Sequence, residues 1–219
     1  MHQKTHTVYM IRHGLTYQNL CREYQGSTLN YDILPESRQL IEQRQKRGES
    51  PDIETLWVSP LVRAASTAKL YFPDMPVELM PDLMEREFGE WDGKTHDELL
   101  SEPLYREFVK SFGQITPPGG ESYNVFLSRI TRVLDRIETM AQESADRFPL
   151  ALVFHGGPIL HFTDHLLSED DPLHRSYTLG AGGVRLEVAT DPFRVIRAEK
   201  LFTNDIPVEK TPFYVDSKR

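Results

Sequence analysis

Thr7-Val8-Tyr9-Met10-Ile11-Arg12-His13-Gly14 is the stretch that decides the fold class. Five apolar or strand-forming residues stop abruptly at Arg-His-Gly. A run this short, rich in β-branched and aromatic residues, reads as a buried strand ending in a loop. A second run, Leu150-Ala151-Leu152-Val153-Phe154, ends in the same way at His155-Gly156-Gly157-Pro158. Ile53–Val58 and Val77–Leu79 read as further strands. Val184–Val188 and Arg194–Phe202 read as an antiparallel pair joined through Asp191-Pro192. Between them, Pro35–Lys46, Leu61–Tyr71, His96–Leu100, Leu104–Phe112, Ser122–Ala145 and Ile159–Leu167 read as helices. The clearest is Ser122–Ala145, whose apolar residues Phe126, Ile130, Val133, Leu134, Ile137, Met140 and Ala141 follow helical spacing. Ser59-Pro60 reads as a helix start, with Ser as the cap and Pro at the first helical position.

Strands alternating with helices predict an α/β fold. The expected form is a three-layer α/β/α sandwich with a mostly parallel central sheet and one antiparallel edge strand. No linker or repeat interrupts the chain, so residues 1–219 are expected to form one domain. An irregular stretch at about 90–120 reads as a cap-like insertion over one end of the sheet, and about 204–219 as a C-terminal surface tail.

Composition removes several classes of function. The chain has 25 Lys+Arg against 33 Asp+Glu, a formal net charge of −8, which argues against a nucleic-acid partner or an acidic membrane surface. The longest apolar runs fall far short of the ~20 residues of a membrane span. Met1–His6 has no apolar signal region, so a cytoplasmic setting is expected. The single cysteine, Cys21, rules out an internal disulfide or a cysteine-based zinc cage. It has no Cys-x5-Arg phosphate loop around it and reads as a passive thiol.

The chemistry sits at the strand ends. In an open α/β sheet, ligands bind outside the carboxyl ends of the strands. His13 and His155 both lie there, each before a glycine that lets backbone approach a ligand closely. Arg63 falls in the first turn of the helix after Ser59-Pro60. A cation there opposes the helix dipole unless it meets an anion held by the same terminus. Glu85, in Leu83-Met84-Glu85-Arg86-Glu87-Phe88-Gly89-Glu90-Trp91-Asp92-Gly93, sits near aromatic residues. A carboxyl buried beside apolar groups has a raised pKa and can serve as an acid. Taken singly, each has a plainer reading: a structural histidine, a surface arginine, a solvated turn.

Taken together, they resemble a known family. The stretches Met10–Asn19, Ser59–Ala68, Leu83–Gly93, Pro118-Gly119-Gly120-Glu121-Ser122 and Phe154–Gly157 occur in the order of the histidine phosphatase superfamily, the phosphoglycerate mutase-like fold. The resemblance implies that His13 is the nucleophile that becomes phosphohistidine. It implies that Arg12, Arg63 and His155 clamp the phosphoryl oxygens and that Glu85 protonates the leaving group. Asn19, Gln25, Gly26 and Gly156 are implied as further substrate-binding positions, while Glu121 and Ser122 match a motif near the site. The implied activity is hydrolysis of a small phosphomonoester, with no cofactor and no metal. Physical chemistry agrees, because phosphoryl transfer needs in-line attack and neutralised oxygens, which two arginines and a histidine can supply.

Two features set this chain apart within that resemblance. Asp32-Ile33-Leu34-Pro35-Glu36-Ser37 carries Ser37 where the family's loop has glycine, a change at the entry to the first helix rather than in the phosphate pocket. After Glu85, Arg-Glu-Phe-Gly resembles the phosphatase branch more than the His-Tyr-Gly of the mutases. The alternatives are mutase-type phosphoryl transfer and a non-catalytic phosphate-binding module. Gly89–Thr95 is one residue short of a P-loop and puts Glu90 and Asp92 where phosphates would lie. His161 and His165 share a helix face, but the glutamate of the zinc-protease motif is replaced by Phe162, so they read as ordinary helix histidines. Lys94, His96, Tyr105, Arg106 and Lys110 are outer-contact candidates in the overhanging segment. The expected partner is one small phosphorylated substrate; a homodimer is compatible with this reading.

Overall fold

The computed structural model describes residues 4–176 and 178–202. The tail expected at about 204–219 lies outside the described residues. In chain order the elements are β1 (Thr5–Arg12), α1 (Tyr17–Cys21), α2 (Pro35–Lys46), β2 (Thr55–Val58), α3 (Val62–Tyr71), β3 (Glu78–Leu79), α4 (His96–Leu99), α5 (Pro103–Lys110), α6 (Tyr123–Glu143), β4 (Leu150–Phe154), α7 (Gly156–Leu166), β5 (Gly183–Thr190) and β6 (Phe193–Leu201). Short 3-10 turns at Pro81–Leu83, Gly89–Trp91 and Ala145–Arg147 complete them.

The strands form a mixed sheet in the order β3-β2-β4-β1-β5-β6. β3, β2, β4 and β1 are mutually parallel, while β5 is antiparallel to both β1 and β6. The antiparallel edge is therefore a hairpin of two strands. Helices cover both faces, as the three-layer expectation requires. On β4, Leu150, Leu152 and Phe154 join one core with Phe126, Ile130, Val133 and Ile137 of α6. Ala151 and Val153 point the other way, into a core with Ile41 of α2 and Ala64, Ala68 and Tyr71 of α3. That alternation is the period-2 rule of a strand buried on both faces. Each large apolar side chain buried in this way contributes roughly 1.5–3 kcal/mol.

Topology places the site. The connection after β1 runs past β4 to β2, and the connection after β4 runs past β1 to β5. The two leave the sheet in opposite directions, so a crevice opens at the ends of β1 and β4, the switch point of an open α/β sheet. Register completes the alignment. Arg12 pairs with Phe154, and the His13 backbone N–H donates to the Phe154 carbonyl at 2.9 Å. The residues that follow, His13 and His155, are thereby set side by side.

Two local expectations change. Ser59 does not cap α3: Leu61 is its N-cap residue, and the Val62 N–H donates instead to Asn30 Oδ1 at 2.7 Å. Ser59 Oγ is committed to His155 at 2.8 Å. α7 begins at Gly156, three residues before the expected start, because Pro158 within the first turn gives up only an N–H that has no helical partner. The Ser37 departure leaves the entry to α2 intact. Its hydroxyl accepts from the Leu15 N–H at 2.8 Å and so ties α2 to the loop after His13.

Candidate active site

His13 stands at the end of β1, 4% exposed. Its Nδ1 lies 2.7 Å from the Gly14 carbonyl oxygen. A carbonyl only accepts, so Nδ1 carries the proton and Nε2 keeps its lone pair. Burial, and then the charges of Arg63 and Arg12, hold the imidazole well below its ordinary 6.5, so it is neutral around pH 7. The loop behind it is pinned, with the Gly14 N–H donating to Thr67 Oγ1 at 2.9 Å and the Thr67 hydroxyl donating to the Arg63 carbonyl at 2.7 Å.

His155 is the N-cap residue of α7 and is fully buried. Its ring centroid lies 5.1 Å from that of His13. Both of its ring nitrogens have partners. Arg63 Nε donates to Nδ1 at 3.2 Å, which leaves Nε2 to donate to Ser59 Oγ. His155 therefore orients Arg63. Burial and neighbouring cations push it well below 6.5 too.

Arg63 is fully buried and spans the gap between the histidines and the loop after α1. Nη1 donates to the Leu29 carbonyl at 2.7 Å, and Nη2 donates to the Gln25 and Gly26 carbonyls at 3.3 and 3.2 Å. Burial lowers its pKa to about 10, which leaves it charged at neutral pH. Arg12 lies opposite and donates from Nη1 to the Thr178 carbonyl at 2.9 Å. Gly156 is a close neighbour: a Cβ there would stand 3.3 Å from Arg12 Nε.

Glu85 enters from the segment between β3 and α4 and is 8% exposed. Oε1 accepts from the Arg86 N–H at 2.9 Å and Oε2 from the Gly157 N–H at 3.0 Å. Burial raises its pKa, against the opposing pull of those two N–H groups, Arg63 and Arg129. The fit to α7 is so close that a Cβ on Gly157 would lie 2.3 Å from Oε1.

The remaining expected residues divide by position. Asn19 closes the capping box of α1 with Thr16, its Oδ1 accepting from the Thr16 N–H at 3.1 Å. Gln25 accepts from the Thr16 hydroxyl at 2.9 Å, and its Nε2 is buried without a partner. Gly26 commits its backbone to the protein, with the N–H donating to Asp92 and the carbonyl accepting from Arg63. Glu121 pairs with Arg129 through two bonds of 2.8 and 2.9 Å, and Arg129 Nη1 holds the Asp82 and Met84 carbonyls just before Glu85. Ser122 is the N-cap of α6. Of the outer-contact candidates, Tyr105 is instead fully buried in an aromatic cluster with Tyr24, Phe88, Trp91 and Phe108. His96 bonds to the Tyr105 hydroxyl, Arg106 to the Leu100 and Ser101 carbonyls, Lys94 to Glu102 and Lys110 to Glu107.

Asp92 is the main residue that motif reading leaves without a role. Its carboxylate accepts from the Gly26 N–H at 2.6 Å and from the Thr28 hydroxyl at 2.8 Å, and so holds the loop whose carbonyls hold Arg63. Arg129 is another. Its sequence signal is a cation inside the apolar stripe of α6, three residues after Phe126 and four before Val133, where a buried partner is required.

An imidazole with an uncommitted Nε2, a second buried imidazole, a buried carboxyl and two guanidiniums thus gather at the ends of β1 and β4. The sequence profile described as "Histidine phosphatase superfamily (branch 1)" matches residues 8–197. The chain belongs to that superfamily. An adenosylcobalamin/alpha-ribazole phosphatase of Escherichia coli K12 is 31% identical over 139 residues, covering 59% of this chain and 66% of that protein, a little under two thirds of its length. The corresponding Salmonella typhimurium protein is 26% identical over 174 residues, 74% of this chain and 79% of its own. Among solved structures, a phosphoglycerate mutase from Thermus thermophilus superposes with a TM-score of 0.69 at 25% identity, covering 90% of this chain and 99% of that one. This member of the superfamily is therefore similar to proteins named as phosphatases and to one named as a mutase. No helix among its described residues is long and apolar enough to cross a membrane.

Proposed function

We propose that this histidine phosphatase hydrolyses a small phosphomonoester through a phosphohistidine on His13. The observation that carries the reading is geometric: His13 Nδ1 is tied to the Gly14 carbonyl, which leaves Nε2 free, and the buried Glu85 carboxyl is held against the Gly157 N–H in the first turn of the helix capped by His155. His13 Nε2 attacks phosphorus in line; the N–P bond forms as the P–O bond to the alcohol breaks. Glu85 gives its proton to the departing oxygen, and the Gly14 carbonyl, accepting from Nδ1–H, stabilises the positive charge that develops on the imidazole. Water then attacks the phosphohistidine. Glu85, now a carboxylate, removes the water proton, and the N–P electrons return to Nε2 as phosphate leaves. Arg12 and Arg63 neutralise the equatorial oxygens, which is the electrostatic work phosphoryl transfer demands. Asn19 and Gln25 supply further donors from the loop after β1, and His155 lines the pocket while holding Arg63.

The proposed setting is cytoplasmic, in one domain whose residues at about 90–120 form the cap. A net charge of −8 favours a compact phosphate over a polyanion; a homodimer is compatible with it. Substrates of the relatives' kind, alpha-ribazole phosphate among them, head the screen. Release of inorganic phosphate from phosphorylated metabolites, ranked by kcat/KM, tests the reading. Conversion of 3-phosphoglycerate to 2-phosphoglycerate without phosphate release would replace hydrolysis by mutase transfer.

A further inference from the structure

One short turn, residues 178–182 before β5, holds both Arg12 and His13. The Arg12 N–H donates to the Gly182 carbonyl at 2.8 Å, the Ala181 N–H donates to the His13 carbonyl at 3.0 Å, and Arg12 Nη1 donates to the Thr178 carbonyl at 2.9 Å. The Gly182 N–H closes the turn onto the Leu179 carbonyl at 2.9 Å. Ala181 sits in the left-handed region, at φ 57°, where a side chain bearing a Cβ is disfavoured. A residue held there keeps its conformation only because its surroundings impose it.

Two helices impose it. The Ala181 carbonyl accepts from Arg44 Nη1 and from the Tyr71 hydroxyl, both at 2.7 Å, and Arg44 Nη1 also donates to the Tyr71 oxygen at 2.8 Å. Arg44 lies in the last turn of α2, and Tyr71 ends α3. Both side chains are buried, Arg44 with 1% exposure. The Arg44 guanidinium lies 4.7 Å over the Phe202 ring, which stacks on Tyr71 at 5.1 Å. Burial raises Tyr71 to about 12, so its phenol remains a donor at neutral pH. Among the described residues, Nε and Nη2 of Arg44 find no hydrogen-bond partner and no carboxylate pairs with it. A buried cation so lightly compensated is a poor source of stability, and an apolar side chain of similar length would serve the core better. What arginine supplies here is a charge-assisted donor on the carbonyl of the strained residue.

We propose that Arg44, assisted by Tyr71, is a positioning residue of the phosphate site: it locks the turn at 178–182 in its strained form, and the turn sets Arg12 and His13. The relay is one residue deep. Arg44 holds the carbonyl of Ala181; the N–H of Ala181 holds His13, and the next carbonyl, that of Gly182, holds the Arg12 backbone. With the Arg44 donor gone, Tyr71 holds the Ala181 carbonyl alone, and the backbone there is free to relax out of the left-handed region. That relaxation shifts the donor to His13 and the acceptors of Arg12 together. The loss falls hardest on the transition state, where in-line attack and charge on the equatorial oxygens must coincide.

This role rests on the reading of Arg12 and His13 as clamp and nucleophile, and vanadate, a mimic of five-coordinate phosphorus, keeps the two apart. Arg44→Met should melt at or above the native temperature, because it removes a buried unpaired charge. Its kcat/KM should nonetheless fall by about 10–10²-fold and vanadate should bind more weakly by a similar factor, while inorganic phosphate, a ground-state ligand, loses less. Arg44→Lys, which returns one donor to the Ala181 carbonyl, should recover most of both losses. Tyr71→Phe should weaken vanadate in the same direction, and the double variant should lose more than the two single losses combined, since the carbonyl then has no donor. Native vanadate affinity and kcat/KM in Arg44→Met, or a lysine variant no better than the methionine one, would overturn the proposal. Failure of Arg44→Met to fold would make Arg44 a structural residue and overturn it too. Absence of turnover by the native protein, with vanadate binding still weakened by Arg44→Met, would uphold the positioning role and overturn the hydrolytic reading.

Discussion

Replacing Gly157 by alanine should separate folding from catalysis. The added Cβ would lie 2.3 Å from Glu85 Oε1, 3.1 Å from its Cδ and 3.2 Å from Oε2, whereas ordinary contact begins near 3.4 Å. The far end of one side chain must therefore retreat by about 1 Å, a misplacement that typically costs ~10²-fold in rate. The backbone has no reason to resist, since Gly157 is helical and does not occupy the left-handed region. Alanine is favoured over glycine inside a helix by about 0.5–1 kcal/mol, which offsets part of a weakened bond between the Gly157 N–H and Glu85. Melting temperature should thus move by only a few degrees. Activity should fall in a manner that depends on the leaving group. An alkyl monoester needs its departing oxygen protonated and should lose about 10²-fold in kcat, while p-nitrophenyl phosphate, which needs little protonation, should lose under about tenfold. Equal losses on the two esters at unchanged stability would refute the role of Glu85 as acid; a large fall in melting temperature would refute the packing argument.

Other perturbations test the neighbouring parts. Asp92→Ala should loosen the loop that grips Arg63, weakening vanadate inhibition and lowering kcat/KM by about 10–10²-fold; Asp92→Asn, which keeps an acceptor for Gly26, should recover part of the loss. A loss of thermal stability with vanadate affinity unchanged would make Asp92 merely structural. His13 and His155 both titrate well below 6.5 in the fold, so the native state binds fewer protons than the unfolded chain as pH falls from 6.5. Unfolding free energy should decline over that interval, by up to ~1.4 kcal/mol per pH unit for each histidine. The raised pKa of Glu85 works in the opposite sense, contributing stability at low pH that is lost as pH rises through its folded value. Urea melts at pH 7.5 and 5.5 check the balance, and His155→Asn should flatten the dependence; an unchanged slope would contradict its buried neutral state. Because guanidiniums supply the positive charge, turnover should persist in EDTA; collapse in EDTA with recovery on added zinc would contradict this. Above the raised pKa of Glu85, kcat/KM on alkyl esters should fall as the acid is lost, and a profile flat through that range would argue for a different donor.

What could be read in advance followed from local pattern. The runs before Arg12-His13-Gly14 and His155-Gly156 are apolar, short and bounded, and strands are what such runs become when both faces are buried. α6 was legible because its apolar stripe is long. α1 was not: five residues carry too little periodicity, and the helix rests on the capping box between Thr16 and Asn19. The expected start of α7 was displaced because Gly156-Gly157-Pro158 carries turn chemistry locally, while tertiary packing against Glu85 and Arg12 needs two residues without Cβ at a helix entry. Ser59 illustrates a different limit. Its sequence context is that of a cap, and only the register of β2 against β4 brings its hydroxyl to His155. Roles such as that of Asp92 arise from contacts 64 and 66 residues apart along the chain, which no local window contains.

The central claim is a covalent bond between phosphorus and His13. Rapid quenching of the enzyme at steady state with a 32P-labelled monoester should trap label that is acid-labile, stable to base and confined to the peptide bearing His13. His13→Ala should carry none and should lose turnover. Label on another residue, or full turnover by His13→Ala, would contradict the mechanism at its first step.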